Sequence, residues 1–462
     1  METQTGAGTL VAAHPQMMKV AGIGLLSAVL LIPISLVDSV IDERKHRRDE
    51  AVADITATWG RPQSVIGPVL IIPYRYEYKT KKEEVVDGKV TRQEVVQTAV
   101  DHAYFLPSDL KIDGNIAPKT LHRGIYEAVV YSSRLNVSGT FPEPDWKALK
   151  IEEKDVLWSE AELTLAVPDL RGAKGAVTVL WGGSPLVMFP GTKVPGYSSG
   201  AHAALGDGAV RGAKRDFSLG LDLNGSGGIQ FAPLGIRNVV SLRSSWPDPK
   251  FQGAFLPADR RLSKDGFTAD WDVSYYGRSY PQQSTARGGG RPDASTVAGS
   301  LFGVAFLSSV DAYRNVERST KYGILFIAMI FLAFFLFETL AALKIHPVQY
   351  VLVGLTLALF FLLLLSLSEF LPFGLSYLLA AAAAVSMTAL YSGKFLGSGR
   401  RTAALAGEMV GVYGYLYVVL QLQDFSLLMG SVLLTATLAA LMYLTRNVDW
   451  YAVDADFRLT SG

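Results

Sequence analysis

Cysteine is absent from the 462-residue sequence. Its absence excludes disulfides, thiolate zinc centres, iron–sulfur ligation and a cysteine nucleophile together. A dominant charge is missing as well. Lys and Arg number 43 against 42 Asp and Glu, a net charge of +1, so nothing global points to nucleic acid or to acidic ligands. There is no Walker loop and no H-E-x-x-H run, and His14, His46, His102, His122 and His202 show no metal-ligand spacing. The Gly-rich run at 224–228 lies between two short strand candidates and reads as a hairpin turn rather than a phosphate loop. No cofactor is implied and no internal repeat emerges.

What the chain does have is long apolar runs. A helix needs about 20 mostly apolar residues to cross a bilayer core of roughly 30 Å. Six stretches approach that: 20–37 (VAGIGLLSAVLLIPISLV), 322–343 (YGILFIAMIFLAFFLFETLAAL), 349–367, 374–391, 403–420 and 425–444. The first exceeds the roughly 7–15 apolar residues of a cleaved signal peptide, and no small-x-small site follows it, so it reads as an uncleaved anchor. The expected fold is an α-helical transmembrane protein of six helices, one N-terminal and five in a C-terminal bundle, with a large β-domain inserted between them.

Loop charge sets the direction. Lys344, Lys394, Arg400, Arg401 and Arg446 fall on one side of the C-terminal bundle, while the alternate connections at 369–372 and 421–424 carry no Lys or Arg. The positive-inside rule makes the basic side cytoplasmic. Counting back puts both termini inside and residues 42–320 outside. Arg44, Lys45, Arg47 and Arg48 dissent, standing just outside the first helix against Lys19 alone inside. Six helices must alternate, and long domains translocate largely regardless of charge, so the C-terminal loops decide. Trp450 and Tyr451 suit an interfacial anchor.

Five segments follow: 1–41 with the first membrane helix, a helical stalk at 42–59, an extracytoplasmic domain at 60–320, the bundle at 321–446 and a cytoplasmic tail at 447–462. Within 60–320 the texture is β. The run at 65–78 (VIGPVLIIPYRYEY) alternates and is β-branched, with prolines that suit edges or bulges. Further strand candidates are 94–105, 126–136, 162–167, 176–181, 218–223, 228–233, 239–245 and 268–276. Their lengths and turn punctuation indicate sheets packed on sheets, an antiparallel β-sandwich-like domain. It forms one sandwich or two halves joined near 190–215, and 278–300 (RSYPQQSTARGGGRPDASTVAGS) reads as a mobile loop.

Several blocks resemble the CreD family of bacterial inner-membrane proteins. They are Ile66-Gly67-Pro68-Val69-Leu70 with Ile72-Pro73-Tyr74, and Ser245-Trp246-Pro247-Asp248-Pro249 running into Phe251-x-Gly253-x-Phe255-Leu256-Pro257. Farther on come Phe334-Phe335-x-Phe337-Glu338-Thr339-Leu340, His346-Pro347-x-Gln349-Tyr350, and Thr445-Arg446-Asn447-x-Asp449-Trp450-Tyr451. The resemblance runs nearly end to end and is least clear from 79 to 215. It implies a multi-pass inner-membrane protein of the cell envelope with a periplasmic domain, associated with envelope integrity and stress response. No catalytic chemistry comes with it.

Ionisable residues inside apolar helices are functional candidates by default. Glu338 lies six residues before Lys344 and Glu408 seven after Arg401, so both sit about 10 Å inside the cytoplasmic boundary at 1.5 Å per residue. They are expected either to pair or line an ion route, or to rest neutral against neighbouring groups. Gly407-x-x-x-Gly411 beside Glu408 predicts a close helix approach. His346-Pro347 is read as a helix start, with a pH-sensitive role for His346 as the alternative. Glu369 is placed at the outer end of the third helix. The leading reading is a non-enzymatic envelope protein whose periplasmic domain binds a protein, glycan or lipid, with the bilayer as its other partner. The alternatives are a transporter or membrane-embedded enzyme using the two acids, and a periplasmic hydrolase.

Overall fold

The computed structural model describes residues 15–86, 89–170, 173, 175–206, 208–212, 214–306, 312–340, 345–422 and 425–446. Lys344, Trp450, Tyr451, the first 14 residues and the tail at 447–462 lie outside the described residues. Two compact units make up the chain: Met1–Asp49 with Val310–Gly462, and Glu50–Ser309.

Helices α1 (Pro15–Val29) and α2 (Leu31–Trp59) come first. They break where Pro33 has no N–H to offer the carbonyl of Val29. The second unit then supplies β1 (Gln63–Val86), β2 (Lys89–Phe105), β3 (Asp109–Arg123), β4 (Tyr126–Phe141), β5 (Glu162–Ala166), β6 (Thr178–Trp181), β7 (Ser184–Val187) and β8 (Phe189–Pro190). It continues with β9 (Gly200–Ala204), β10 (Arg215–Ser226), β11 (Gly228–Phe231), β12 (Arg237–Ser244), β13 (Pro249–Gly253), β14 (Asp259–Ser263) and β15 (Gly266–Ser274). It closes with β16 (Gln283–Thr285), α3 (Ala294–Ala298) and β17 (Phe302–Phe306).

One sheet has the order β13–β17–β11–β1–β5–β9–β8, with β2 on β1 and β16 on β2. The other runs β14–β15–β12–β3–β4–β10–β6–β7. Each contains one parallel pairing, β1 with β11 and β3 with β12, so the sandwich is mixed where the turn spacing suggests antiparallel pairing alone. Period-two alternation assigns the faces. In β15, Phe267, Ala269, Trp271 and Val273 are buried while Thr268, Asp270 and Asp272 stand in solvent. Aromatic contacts tie the sheets into one core: Trp271 on Phe302 at 5.9 Å, Phe251 on Trp271 at 5.8 Å and Tyr131 on Phe306 at 5.3 Å between ring centres. Burying one such side chain stabilises by about 2–3 kcal/mol.

Two expectations change. The 190–215 stretch is no junction between halves, because β9 lies within it and pairs with β5 inside the first sheet. The 278–300 stretch is ordered. It contains β16 and α3, whose N-cap Asp293 accepts from the Thr296 amide at 2.9 Å in a capping box. Its polar composition hides Tyr280, Ser284 and Val297, which plug the sandwich core.

The first unit completes itself with α4 (Ala312–Thr320), α5 (Gly323–Leu340), α6 (Pro347–Ser368), α7 (Phe373–Leu396), α8 (Gly399–Gln421) and α9 (Ser426–Thr445). Five helices among the described residues are long and apolar enough to cross a membrane, and the bent pair Tyr313–Thr320 with Gly323–Glu338, at 46°, makes a sixth. Phe326, Phe331 and Phe334 of α5 pack with Tyr350, Phe360 and Phe361 of α6 in the bundle core. Gly354 leaves room for Leu30, whose side-chain end would have to shift from a Cβ built 2.1 Å away.

Candidate functional site

The structure distributes the four residues singled out from sequence over the first unit. Glu338 closes the start of α6: its Oε1 accepts the Ile345 amide at 3.2 Å and its Oε2 accepts the Tyr350 hydroxyl at 3.3 Å. His346 is the N-cap of α6. Its Nδ1 accepts the Val348 amide at 3.3 Å, and Gln349 Oε1 accepts the His346 amide at 2.9 Å. Glu408 is half-buried on α8 and, among the described residues, makes no hydrogen bond or ion pair, so the two acids are not joined. Among the described residues, the close approach expected at Gly407 and Gly411 is not found. A Cβ on either would meet nothing within 4 Å, because α8 packs through Leu405, Met409, Val412 and Leu416 on another face.

Glu369 lies at the far end of α6. Its side chain is 8% exposed, Arg44 Nη1 lies 3.7 Å from Oε1, and the Tyr313 hydroxyl donates to that same oxygen at 3.1 Å. Around it Lys45 donates to Glu317 at 2.7 Å, Lys321 donates to Glu317 at 3.2 Å, and Thr320 donates to Asp38 at 2.5 Å. Arg47 pairs with Glu43, while Arg48 pairs with Asp49 and rests 5.6 Å from the Tyr313 ring centre. The four cations that dissent from the loop-charge rule are therefore all neutralised locally.

The β-domain holds a site that the sequence reading passes over. Cross-strand register aligns Tyr104 of β2, Ile71 of β1, Glu162 of β5 and Ala204 of β9 in one row. The next row sets His102 opposite Pro73. A bulge between Ile66 and Val69, where Pro68 sits, fixes this phase of β1 against β5. The short turn Trp158–Glu160 and the loop before β9 raise walls carrying Ser159, Glu160 and Lys193. Together they enclose a cleft of about 590 Å³, within the range of small-molecule sites. Burial pushes the Tyr104 phenol up, so it stays a hydrogen-bond donor at neutral pH. Glu160, Glu162, Lys193 and His102 form no ion pair with any described residue. Their signal in sequence is faint: His102 and Tyr104, like Glu160 and Glu162, stand two apart, as same-face strand residues do.

Two serine-enzyme spacings lead nowhere comparable. In Gly196-Tyr197-Ser198-Ser199-Gly200 the central serine sits on a loop leading into β9, not on a strand-to-helix elbow. In Ser108-Asp109-Leu110-Lys111 the hydroxyl donates to Asp109 and to the Thr140 carbonyl, both at 3.1 Å. Among the described residues no group of three or more His, Asp or Glu is arranged to hold a metal ion.

Apolar helices on both sides of an inserted two-sheet domain define a multi-pass membrane protein with a large soluble insertion. Residues 15–451 match the sequence model of the family described as inner membrane protein CreD. The chain is 32% identical over 424 residues to inner membrane protein CreD of Escherichia coli strain K12, covering 92% of this chain and 91% of that one. It belongs to the CreD family of inner membrane proteins. Among solved structures, an M1 zinc metallopeptidase from Deinococcus radiodurans aligns over 43% of this chain and 42% of its own at a TM-score of 0.21 and 10% identity, a likeness that carries no argument.

Proposed function

We propose that this inner membrane protein supports envelope integrity without catalysing a reaction, through an extracytoplasmic β-domain that binds an envelope component. The observation that carries this reading is the cleft across β2, β1, β5 and β9, whose ionisable groups are left unpaired. The loop charges of Lys394, Arg400, Arg401 and Arg446 support the orientation. A photo-crosslinking residue in place of Ser159 tests the reading in growing cells. A specific envelope adduct, lost in a Glu162→Lys variant that still reaches the membrane, is expected. If no adduct forms and the variant withstands envelope stress as well as the parent, the reading fails.

A second reading, transport or membrane-embedded chemistry, draws support from Glu408, an acid in a spanning helix with no bonding partner among the described residues. It requires that Glu408→Gln and Glu338→Gln abolish function at normal protein level. Silence of both substitutions ends it.

A further inference from the structure

We infer that the β-domain cleft is built for a small dipolar molecule that carries an ammonium group and an acid group, of which a free amino acid or short peptide is the simplest form. The inference rests on the reading of this cleft as a binding site.

The charges that line the cleft point to that class. Glu160 and Glu162 lie together on the β5 side, and Lys193 stands on the loop that leads into β9. Opposite charges that line one cleft without closing on each other can each take the complementary charge of a ligand. Here none of the three is ion-paired among the described residues, although the cleft is only about 590 Å³. Strand pairing fixes Glu162 against Ala204 and Ile71. The Lys193 amide donates to Thr164 Oγ1 at 3.0 Å, and Thr164 Oγ1 lies 3.1 Å from Thr192 Oγ1. The backbone under Glu162 and Lys193 is thus tied to the sheet. A ligand with its own cation and anion bridges the gap, its ammonium on the glutamates and its acid group on Lys193. A ligand of one charge would leave the opposite wall facing an unmatched group, which disfavours its binding.

The floor agrees. Ile71, Pro73 and the buried face of Tyr104 are apolar enough to take a short aliphatic body, while the Tyr104 and Ser159 hydroxyls and the His102 ring nitrogens offer hydrogen bonds. Such a mixture of apolar floor and a few polar groups is the usual make-up of a small-molecule site.

The same chemistry occurs in a zwitterionic lipid headgroup, so the experiment has two arms. Full-length protein in detergent is titrated by ligand-observed NMR with alanyl-alanine, with its N-acetylated and its C-amidated forms, and separately with phosphoethanolamine. Saturable binding of alanyl-alanine, weakened about tenfold or more by either cap, is expected. Glu162→Gln should weaken the free and amidated dipeptides but leave the acetylated form unchanged, and Lys193→Met should do the converse. Glu160→Gln is a second acidic variant should Glu162→Gln fail to fold. Phosphoethanolamine binding with the same variant pattern, beside an inert dipeptide, supports the dipolar site and assigns it to a headgroup. Absence of saturable binding in both arms, or equal binding of capped and uncapped dipeptides, overturns the inference. A crosslinked envelope adduct at position 159 in the face of that result leaves the broader function standing and removes only this ligand class.

Discussion

At the scale of single residues, the ionisable groups that matter are those whose partners the fold supplies. Glu369 accepts the Tyr313 hydroxyl, lies in ion-pair range of Arg44, and has an almost fully buried side chain. Glu369→Ala removes the bond that the Tyr313 hydroxyl donates and the carboxylate beside the Arg44 guanidinium. Arg44 is 41% exposed, so solvent screens part of the loss, and destabilisation of about 2 kcal/mol is expected. Glu369→Gln keeps an acceptor for Tyr313 and should cost about half as much. Thermal unfolding of the detergent-solubilised protein measures both. Tyr74 makes the comparable case in the β-domain. Its hydroxyl donates to Asp101 Oδ2 at 2.8 Å, and burial, aided by that bond and by the Asp101 charge, pushes it up to about 12. The folded state thus favours the protonated phenol. Its contribution is complete below about pH 10 and drains away between about pH 10 and 12. Tyr74→Phe should flatten the loss of stability across that window, read by circular dichroism of alkaline unfolding.

At the scale of elements, β3, β4 and β10 depend on a residue with no side chain. A Cβ on Gly139 would lie 1.9 Å from the Asp109 carbonyl oxygen, a backbone atom that cannot move aside. Gly139→Ala should lower stability by about 3 kcal/mol through overpacking and lost pairing, visible as a lower denaturant midpoint. Legibility in sequence follows the strength of local pattern. The apolar helices announce themselves because the bilayer demands a long uninterrupted run, and β15 does so because its alternation is unbroken. β3 is hidden: DLKIDGNIAPKTLHR carries Asp, Gly, Asn and Pro, the residues of turns. Its Gly114 faces inward, where a Cβ would meet the Leu242 and Leu135 side chains. The cleft is hidden for a different reason. Its groups come from β2, β5 and two connecting segments, and only register brings them together. The weight sequence gives to Gly407 and Gly411 is misplaced, since spacing alone does not say which face of α8 meets a neighbour.

At the scale of the whole molecule, the cysteine-free sequence makes its orientation directly measurable. The parent protein is blank to thiol reagents, so each introduced cysteine reports alone. Ser263→Cys on the exposed strand β14 should react with a membrane-impermeant maleimide in intact spheroplasts, and Ser398→Cys beside Arg400 and Arg401 only after permeabilisation. The reverse pattern would invert the topology proposed here.

The ion pairs around Glu369 also bear on how the chain is made. Lys45 and Glu317 are 272 residues apart, which at ribosomal speeds separates their synthesis by some tens of seconds. Through that interval Arg44 and Lys45 are still to meet Glu369 and Glu317, whereas Arg47 and Arg48 have Glu43 and Asp49 beside them from the start. The first two cations therefore pull against the proposed orientation of the first helix. For the proposed orientation, insertion then has to be held, or restored, until α4 and the end of α6 arrive with Glu317 and Glu369. A chain truncated after residue 306 should accordingly populate both orientations. Ser263→Cys labelling in that truncated form should be partial where the full-length protein labels completely. Under the proposed orientation, Glu317 and Glu369 would act as a late topological lock, during biogenesis as much as in the finished protein.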